Sequence, residues 1–550
     1  MKKTAYCQLV CKVGFCDILA ESTDSDISRC IQCFTIGRVV KTMSATKLLG
    51  VYSDGMVLQR NKEIIIEGTE DALPEVKVTF AGISATAPVE DGRFKAVLPP
   101  QDVMRGAVLK VEGTDTIEVT DVCVGDVFML AGQSNMELPV VRTVDLNKEE
   151  IEAKDYPEVR QFYLIPDYEL PLKGEASICG FPDGKWIKAE GEDKYAFSAI
   201  GFYAAKRIYE KTGTPIGLIL NAQGGATIEA YMSEEDNEAA GTKEEDIAPF
   251  RGKGAIKEYI EKCNQNTITW RGKTVAEGFD IAAALKDAKD VELPGIVVTD
   301  YSGSIWFVKE FELDNAPEGE CLLKLGDLID ADVTYVNGVE VGRTEYQYPP
   351  RKYYFDGSIL KTGKNIIATR LIIELGKGGF VPGHPYYLET EYGKIDLKGT
   401  WKMVPEKKLD DFVPGKLPQM IPLSLYYAAL IPLQDYAVSQ IWWCQGESNS
   451  GEPEGYDKKM VLMFKKMREM YGDVPVVLIK IADYINPLTF GTEVPEGWRT
   501  VQRLQEEAPN YISDVKVVAS PCPDPIYELH PQNKSAIGAD VAKASLEFRQ

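Results

Sequence analysis

Short runs of alternating or blocked apolar residues dominate the first part of the chain: Ile64-Ile-Ile66, Val76-Lys-Val-Thr-Phe80, Phe94-Lys-Ala-Val-Leu98 and Val108-Leu-Lys-Val111, separated by turn formers such as Glu90-Asp-Gly92. Period-two patterning with glycine-bearing breaks predicts β-strands, and their succession predicts a small β-sandwich over 48–120. From 121 the texture changes. The apolar run Val127-Phe-Met-Leu130 predicts a buried strand, whereas Phe197, Ile200, Ala204 and Ile208 recur at helical spacing and predict a helix over 196–209. Further strands are expected at 216–220, 438–443, 476–481 and 515–519, with helices near 458–471 and after Pro531. Strands alternating with helices predict a parallel sheet covered by helices.

Between 252 and 410 this alternation stops. Ile305-Trp-Phe-Val308, Phe311-Glu-Leu313, Cys321-Leu-Leu-Lys-Leu325, Val333-Thr-Tyr-Val-Asn-Gly338 and Asn365-Ile-Ile-Ala-Thr369 return to strand patterning. A β-rich block inside an α/β region reads as an inserted jelly roll. The α/β domain is then expected in two parts, 121–251 and 411–550, behind the β module at 48–120 and a disordered leader at 1–47. A chain of 550 residues exceeds what one core supports, so several domains are expected.

Composition narrows the partners. With 61 basic and 84 acidic residues the formal charge is −23, which repels nucleic acid and anionic membranes. No window approaches the roughly 18–20 consecutive apolar residues of a membrane span, and the first residues carry no uninterrupted apolar segment with a cleavage site. A cytoplasmic protein is expected. Of the eleven cysteines, Cys7, Cys11, Cys16, Cys30 and Cys33 cluster at the start and the rest are scattered singly. Scattered thiols suit a reducing compartment. Cys30-x-x-Cys33 lacks a second pair and any histidine, so no metal or other cofactor is expected, and Met43 is an alternative start.

Each of four apolar strands runs into a polar turn: Gly132-Gln-Ser134, Gln223-Gly-Gly225, Gln445-Gly-Glu-Ser-Asn449 and the stretch from Ser520 to His530. In open α/β sheets ligands sit at the carboxyl ends of strands, so the four turns are expected to meet in one cleft. They carry the parts of acyl-transfer chemistry. Ser134 is the candidate nucleophile and His530, one of only two histidines, the candidate base. Glu528, two residues earlier on the same side of an extended segment, is favoured over Asp524 as the acid that orients the imidazole. Oxyanion donors are expected from the backbone of Ser134 and of Gly225 or Gly224, and from the side-chain amide of Gln445 or Asn449. Ser134 read alone is equally a helix cap. Ser448 is the rival nucleophile, but Gly446-Glu-Ser448-Asn-Ser450 lacks the final glycine of a nucleophile elbow.

Ala131-Gly-Gln-Ser-Asn-Met136, Gly217-Leu-Ile219 with Gly224-Gly-Ala-Thr227 and Glu229, Trp443-Cys-Gln-Gly-Glu-Ser-Asn449, and His530-Pro-x-Asn-Lys534 resemble, in this order, the blocks of the sialate O-acetylesterase-like branch of SGNH hydrolases. Ser53-Asp-Gly-Met-Val-Leu-Gln-Arg60 resembles that branch's N-terminal β module. The resemblance implies an SGNH-type three-layer α/β/α hydrolase with a parallel sheet, interrupted by an inserted jelly roll and preceded by a small β-sandwich. It also implies metal-free, serine-dependent hydrolysis of O-acetyl esters on carbohydrate. Two departures stand out: Glu528-Leu-His-Pro531 replaces the usual Asp-Ile-His-Pro, and Ala226 and Tyr231 replace commoner residues of the second block.

Glu447, Arg499 and His384 are the candidate substrate contacts; His384, in Pro382-Gly-His-Pro385, reads first as a loop residue of the insert, with a place overhanging the cleft as the lesser alternative. A sialate carboxylate would call for an arginine, and Arg142, Arg160, Arg499 and Arg503 are available, while neutral plant polysaccharide acetates are equally compatible. A non-catalytic sugar-binding protein is the alternative. A glycosidase built on Glu137 and Glu447 is the weaker one.

Overall fold

The computed structural model describes residues 46–177, 182–489, 491–522 and 525–548. The leader with its cysteine cluster, Met43 and Asp524 therefore lie outside the described residues. Residues 46–48 are already strand: Thr46–Leu48 pairs antiparallel with Gly68–Glu70, so the expected leader ends earlier than residue 47.

Six parallel strands form the central sheet, in the order Tyr156–Ile165, Ile216–Ala222, Thr116–Gly132, Gln440–Cys444, Val476–Ile479, Val515–Val518. Asp183–Ala189 adds an antiparallel edge. The strand Thr116–Gly132 lies between one that follows it in the first half of the sequence and one from the far end. Strand order therefore reverses at its carboxyl end, where a crevice opens.

Period-two patterning sorts the sheet's side chains onto two faces. Phe128, Leu130, Leu218, Leu220, Trp442, Cys444, Val477 and Ile479 pack with Ile200, Ala204, Ile208, Ile537 and Val541, the buried stripes of helices Ala199–Thr212 and Lys534–Glu547. Val127, Met129, Ala131, Ile219, Ile441, Trp443, Val476 and Leu478 face the other way, against Met460, Met463, Phe464 and Val501 of helices Tyr456–Tyr471 and Glu496–Glu506. The sheet is thus buried between two helical layers.

The boundary expected at residue 120 falls inside one strand. Thr116–Gly132 pairs with Met104–Glu112 in its first part and with the parallel sheet in its second. The N-terminal β-strands and the central sheet therefore share hydrogen-bonded backbone.

The segment 252–410 opens differently from its reading as strand: Ala255–Lys273 is an α-helix. Ile256 is buried, and Tyr259 and Ile260 pack beside it against Leu170, Ile421 and Leu423, a stripe at spacing three and four. Strands begin at Lys289 and continue to Leu409. They form antiparallel sheets of six, four and three strands around their own core, which includes Phe307, Leu323, Leu371, Phe380 and Trp401. Among the described residues no helix is long and apolar enough to cross a membrane.

Candidate active site

Ser134 opens a single helical turn, Ser134–Glu137, immediately after the central strand. Gly132 makes that exit possible. Its φ is +129°, and a Cβ there would lie 2.0 Å from the Cys444 carbonyl oxygen, so no other residue fits.

The residues flanking Ser134 tie its turn to the neighbouring ones. Gln133 N donates to Cys444 O at 2.9 Å, while Gln133 Oε1 accepts from Gly446 N at 3.3 Å and Ser448 N at 3.2 Å. Gln223 N donates to Gly132 O at 3.2 Å, and Ser448 Oγ donates to Gly225 O at 3.0 Å. Asn135 Nδ2 donates to Glu447 Oε1 at 2.6 Å and to Leu529 O at 3.1 Å, reaching the histidine loop. Lys534 Nζ donates to Asn135 Oδ1 at 2.5 Å. Through these bonds all four turns meet at one place.

There His530 Nε2 lies 2.8 Å from Ser134 Oγ. Burial first, then the charges of Arg142 and Lys534, push the imidazole's pKa down to about 3, so the ring is neutral near pH 7 and free to accept a proton. Tyr348, from the β-rich segment, stands edge-on to the His530 ring with centroids 4.9 Å apart. Arg142 and Tyr348 are site residues that sequence reasoning did not assign: no strand-end turn marks either.

Several expected roles change. Glu528 accepts from the backbone N–H of His530 at 2.8 Å, so its carboxyl holds the loop rather than the ring. Among the described residues no carboxylate hydrogen-bonds the imidazole. Burial pushes the Glu528 carboxyl upward, against the lowering effects of the His530 amide, Arg142 and Lys534.

Gly224 N donates to Glu137 Oε2 at 2.6 Å and is not a free oxyanion donor. A Cβ on Gly224 would lie 3.6 Å from Ser134 Cβ, which shows how closely the second turn abuts the serine. Gly225, at φ +79°, and Ser134 keep backbone N–H groups without a partner among the described residues.

Gln445 is fully buried; its Nε2 donates to Ala226 O and Asn449 Oδ1, and its Oε1 accepts from Tyr456. Asn449 Nδ2 donates to Glu229, whose carboxylate is also paired with Lys459. Both amides are consumed as scaffolding, which a linear pattern does not reveal. Glu137 (with Gly224 N and Tyr163) and Glu447 (with Asn135) are likewise engaged in holding the Ser134 turn. Burial raises the Glu137 carboxyl to about 7.

His384 is only 4% exposed and sits behind the histidine loop, with Nδ1 3.9 Å from Glu528 and Nε2 3.6 Å from Asp327. It does not overhang the cleft. Arg160 hydrogen-bonds the Gly55 and Asp121 carbonyls, Arg503 pairs with Glu507, and the exposed Arg499 pairs with Glu493. Arg142 differs. It is half-buried, acts electrostatically on His530, Glu528 and Asp327, and its guanidinium has no hydrogen-bond partner among the described residues.

No protein-family model matches the chain. Over 142 residues it is 30% identical to the sialate O-acetylesterases of Pongo abelii and of Homo sapiens, an alignment covering 24% of this chain and 26% of each relative. The chain thus matches about a quarter of the length of these curated relatives. A carbohydrate acetylesterase from Xanthomonas citri superposes with a TM-score of 0.52 at 17% identity, over 92% of this chain and 76% of that one. At that identity the likeness is one of fold.

Proposed function

We propose that this chain, a relative of the sialate O-acetylesterases, releases acetate from O-acetylated carbohydrate with Ser134 as nucleophile and His530 as base. The observation that carries the reading is the 2.8 Å contact between Ser134 Oγ and His530 Nε2. His530 Nε2 takes the hydroxyl proton as Oγ bonds to the acetyl carbonyl carbon, and returns it to the sugar oxygen as the ester bond breaks. Water then attacks the acetyl-serine by the same route in reverse, yielding acetate. The unpartnered N–H groups of Ser134 and Gly225 are the candidate oxyanion donors. The layout is read as an SGNH-type hydrolase with the β-rich segment as an inserted jelly roll, divided near 252 and 410.

A finer reading concerns the sugar. Arg142 has a guanidinium with no hydrogen-bond partner among the described residues, within electrostatic reach of His530, Glu528 and Asp327, and such a group suits a carboxylate. This favours an acidic acetylated sugar such as a sialate over neutral xylan or mannan acetates. The test is one incubation with acetylated sialic acid, xylan, mannan and xyloglucan, assayed for acetate and for reducing ends. Acetate without reducing ends is expected, fastest from the sialate. Reducing ends would revive the glycosidase, and neither product would leave a sugar-binding protein.

A further inference from the structure

Behind the histidine loop lies a cluster that the proposed chemistry does not use. Asp327 follows the strand Glu320–Gly326, His384 sits in the turn before Tyr386–Thr390, and Glu528 belongs to the loop that carries His530. These three distant segments bring one ligand atom each to within 4.8 Å of one another. All three side chains are buried, with Asp327 only 1% exposed.

Several of their polar atoms are not satisfied by the described residues. Among the described residues, both carboxylate oxygens of Asp327 and Nε2 of His384 lack any hydrogen-bond partner. Their separation of 3.6 Å is too long for a hydrogen bond. Arg351 does not rescue Asp327, because its donors go to Asp332 and to the carbonyls of Leu328, Asp330 and Tyr346. Glu528 uses Oε1 for the His530 amide, and Oε2 is the atom nearest His384, at 3.9 Å. Buried polar groups are nearly always partnered, and buried carboxylates are paired or bind metal.

We propose that Asp327, His384 and Glu528 form a structural site for a zinc-like divalent cation, which fastens the β-rich segment to the loop carrying His530. One imidazole nitrogen and two carboxylate oxygens are a donor set that zinc and its neighbours accept. Tetrahedral coordination at about 2.1 Å places ligand atoms about 3.4 Å apart, so a spacing of up to 4.8 Å closes by roughly 1.4 Å at most on binding. The segments already touch: a Cβ on Gly383 would lie 2.3 Å from Pro525 Cβ. The ion takes no part in the acetyl transfer, and its binding is read without reference to activity.

The test uses the full chain carrying Ser134→Ala, stripped with chelator and titrated with zinc alone. Bound metal is counted after desalting, and folding is checked by circular dichroism. One more equivalent of tightly held zinc is expected here than in the same chain with His384→Ala or Asp327→Asn added. Equal zinc in all three folded proteins, or none in any, would overturn the proposal. X-ray absorption at the zinc edge of the Ser134→Ala chain covers the case in which the added substitutions unfold. Nitrogen and oxygen ligands including one imidazole support the site, whereas sulfur ligation, as from Cys30 and Cys33, overturns it.

Discussion

Ser134 and His530 approach to 2.8 Å, yet the turn carrying the serine and the loop carrying the histidine are held by opposite means. The serine turn is an extension of the sheet. It leaves a buried strand through a glycine that admits no substitute; Gln133 and Asn135 bind it to the turn after Gln440–Cys444, and Gly132 O accepts from Gln223 N at the end of Ile216–Ala222. The histidine loop is bonded from several elements: Ile526 O accepts from Ile485 N at 3.1 Å and Gln532 O from Asn147 Nδ2 at 3.4 Å. It receives Asn135 at Leu529, ties Glu528 to its own backbone, and rests on Tyr348 and His384 from the β-rich segment. In this arrangement the sheet holds the serine turn, while the loop of the proposed base is held in part by the β-rich segment. Geometry at the reacting atoms then depends on how the two units dock, which matters because small displacements there cost large factors in rate.

The comparison is broken most severely by removing the base. His530→Ala is expected to lower kcat for an aryl acetate by about 10³- to 10⁴-fold or more with melting temperature nearly unchanged. Near-normal turnover by the purified variant would remove His530 from the mechanism.

Asn135→Ala removes a side chain that bonds both regions and leaves Glu447 and Lys534 without their shared partner. A stability loss of about 1–3 kcal/mol is expected from the buried groups left unsatisfied, with a further fall in kcat. Chemical denaturation beside steady-state kinetics checks both.

Tyr348 separates the two modes of support more gently. Tyr348→Ala removes an aromatic contact worth about 0.5–1.5 kcal/mol, so a fall in kcat of up to about tenfold is expected. Tyr348→Phe keeps the ring and should restore most of it. Equal loss in both variants would assign the effect to the hydroxyl instead.

The smallest effect lies in pH. Because the His530 pKa is lowered to about 3, the active neutral imidazole persists far below its ordinary range. Activity is lost only as pH falls through the folded-state value. The acid limb of kcat/KM for the free enzyme is therefore expected well below 6.5, and a limb at 6.5 would contradict the buried, cation-flanked ring.

What was legible in the sequence follows from what linear patterns encode. The strands of the parallel sheet are uniform apolar runs such as Ile216–Ala222 because both faces are covered, and each ends in a polar turn that must lie at the carboxyl edge. Side-chain commitments are not linear. Nothing near Gln445 tells that Tyr456, Ala226 and Asn449 consume its amide, nor that Glu137 occupies the amide of Gly224. Arg142 was one of four available arginines, with Arg499 favoured among them, until the partners of the other three were known. The helix Ala255–Lys273 did carry a signal, with Ile256, Tyr259, Ile260 and Cys263 at helical spacing, but the surrounding polar residues and the strand-rich sequence after it masked it.

The central claim is that Ser134 is a nucleophile activated by His530. The most direct measurement is covalent labelling with a fluorophosphonate, located by peptide mass spectrometry and timed in the native chain and in His530→Ala. A single phosphonylated residue at Ser134 is expected, with labelling slowed by orders of magnitude when the histidine is removed. Label on Ser448, or a rate at Ser134 indifferent to His530, would contradict it.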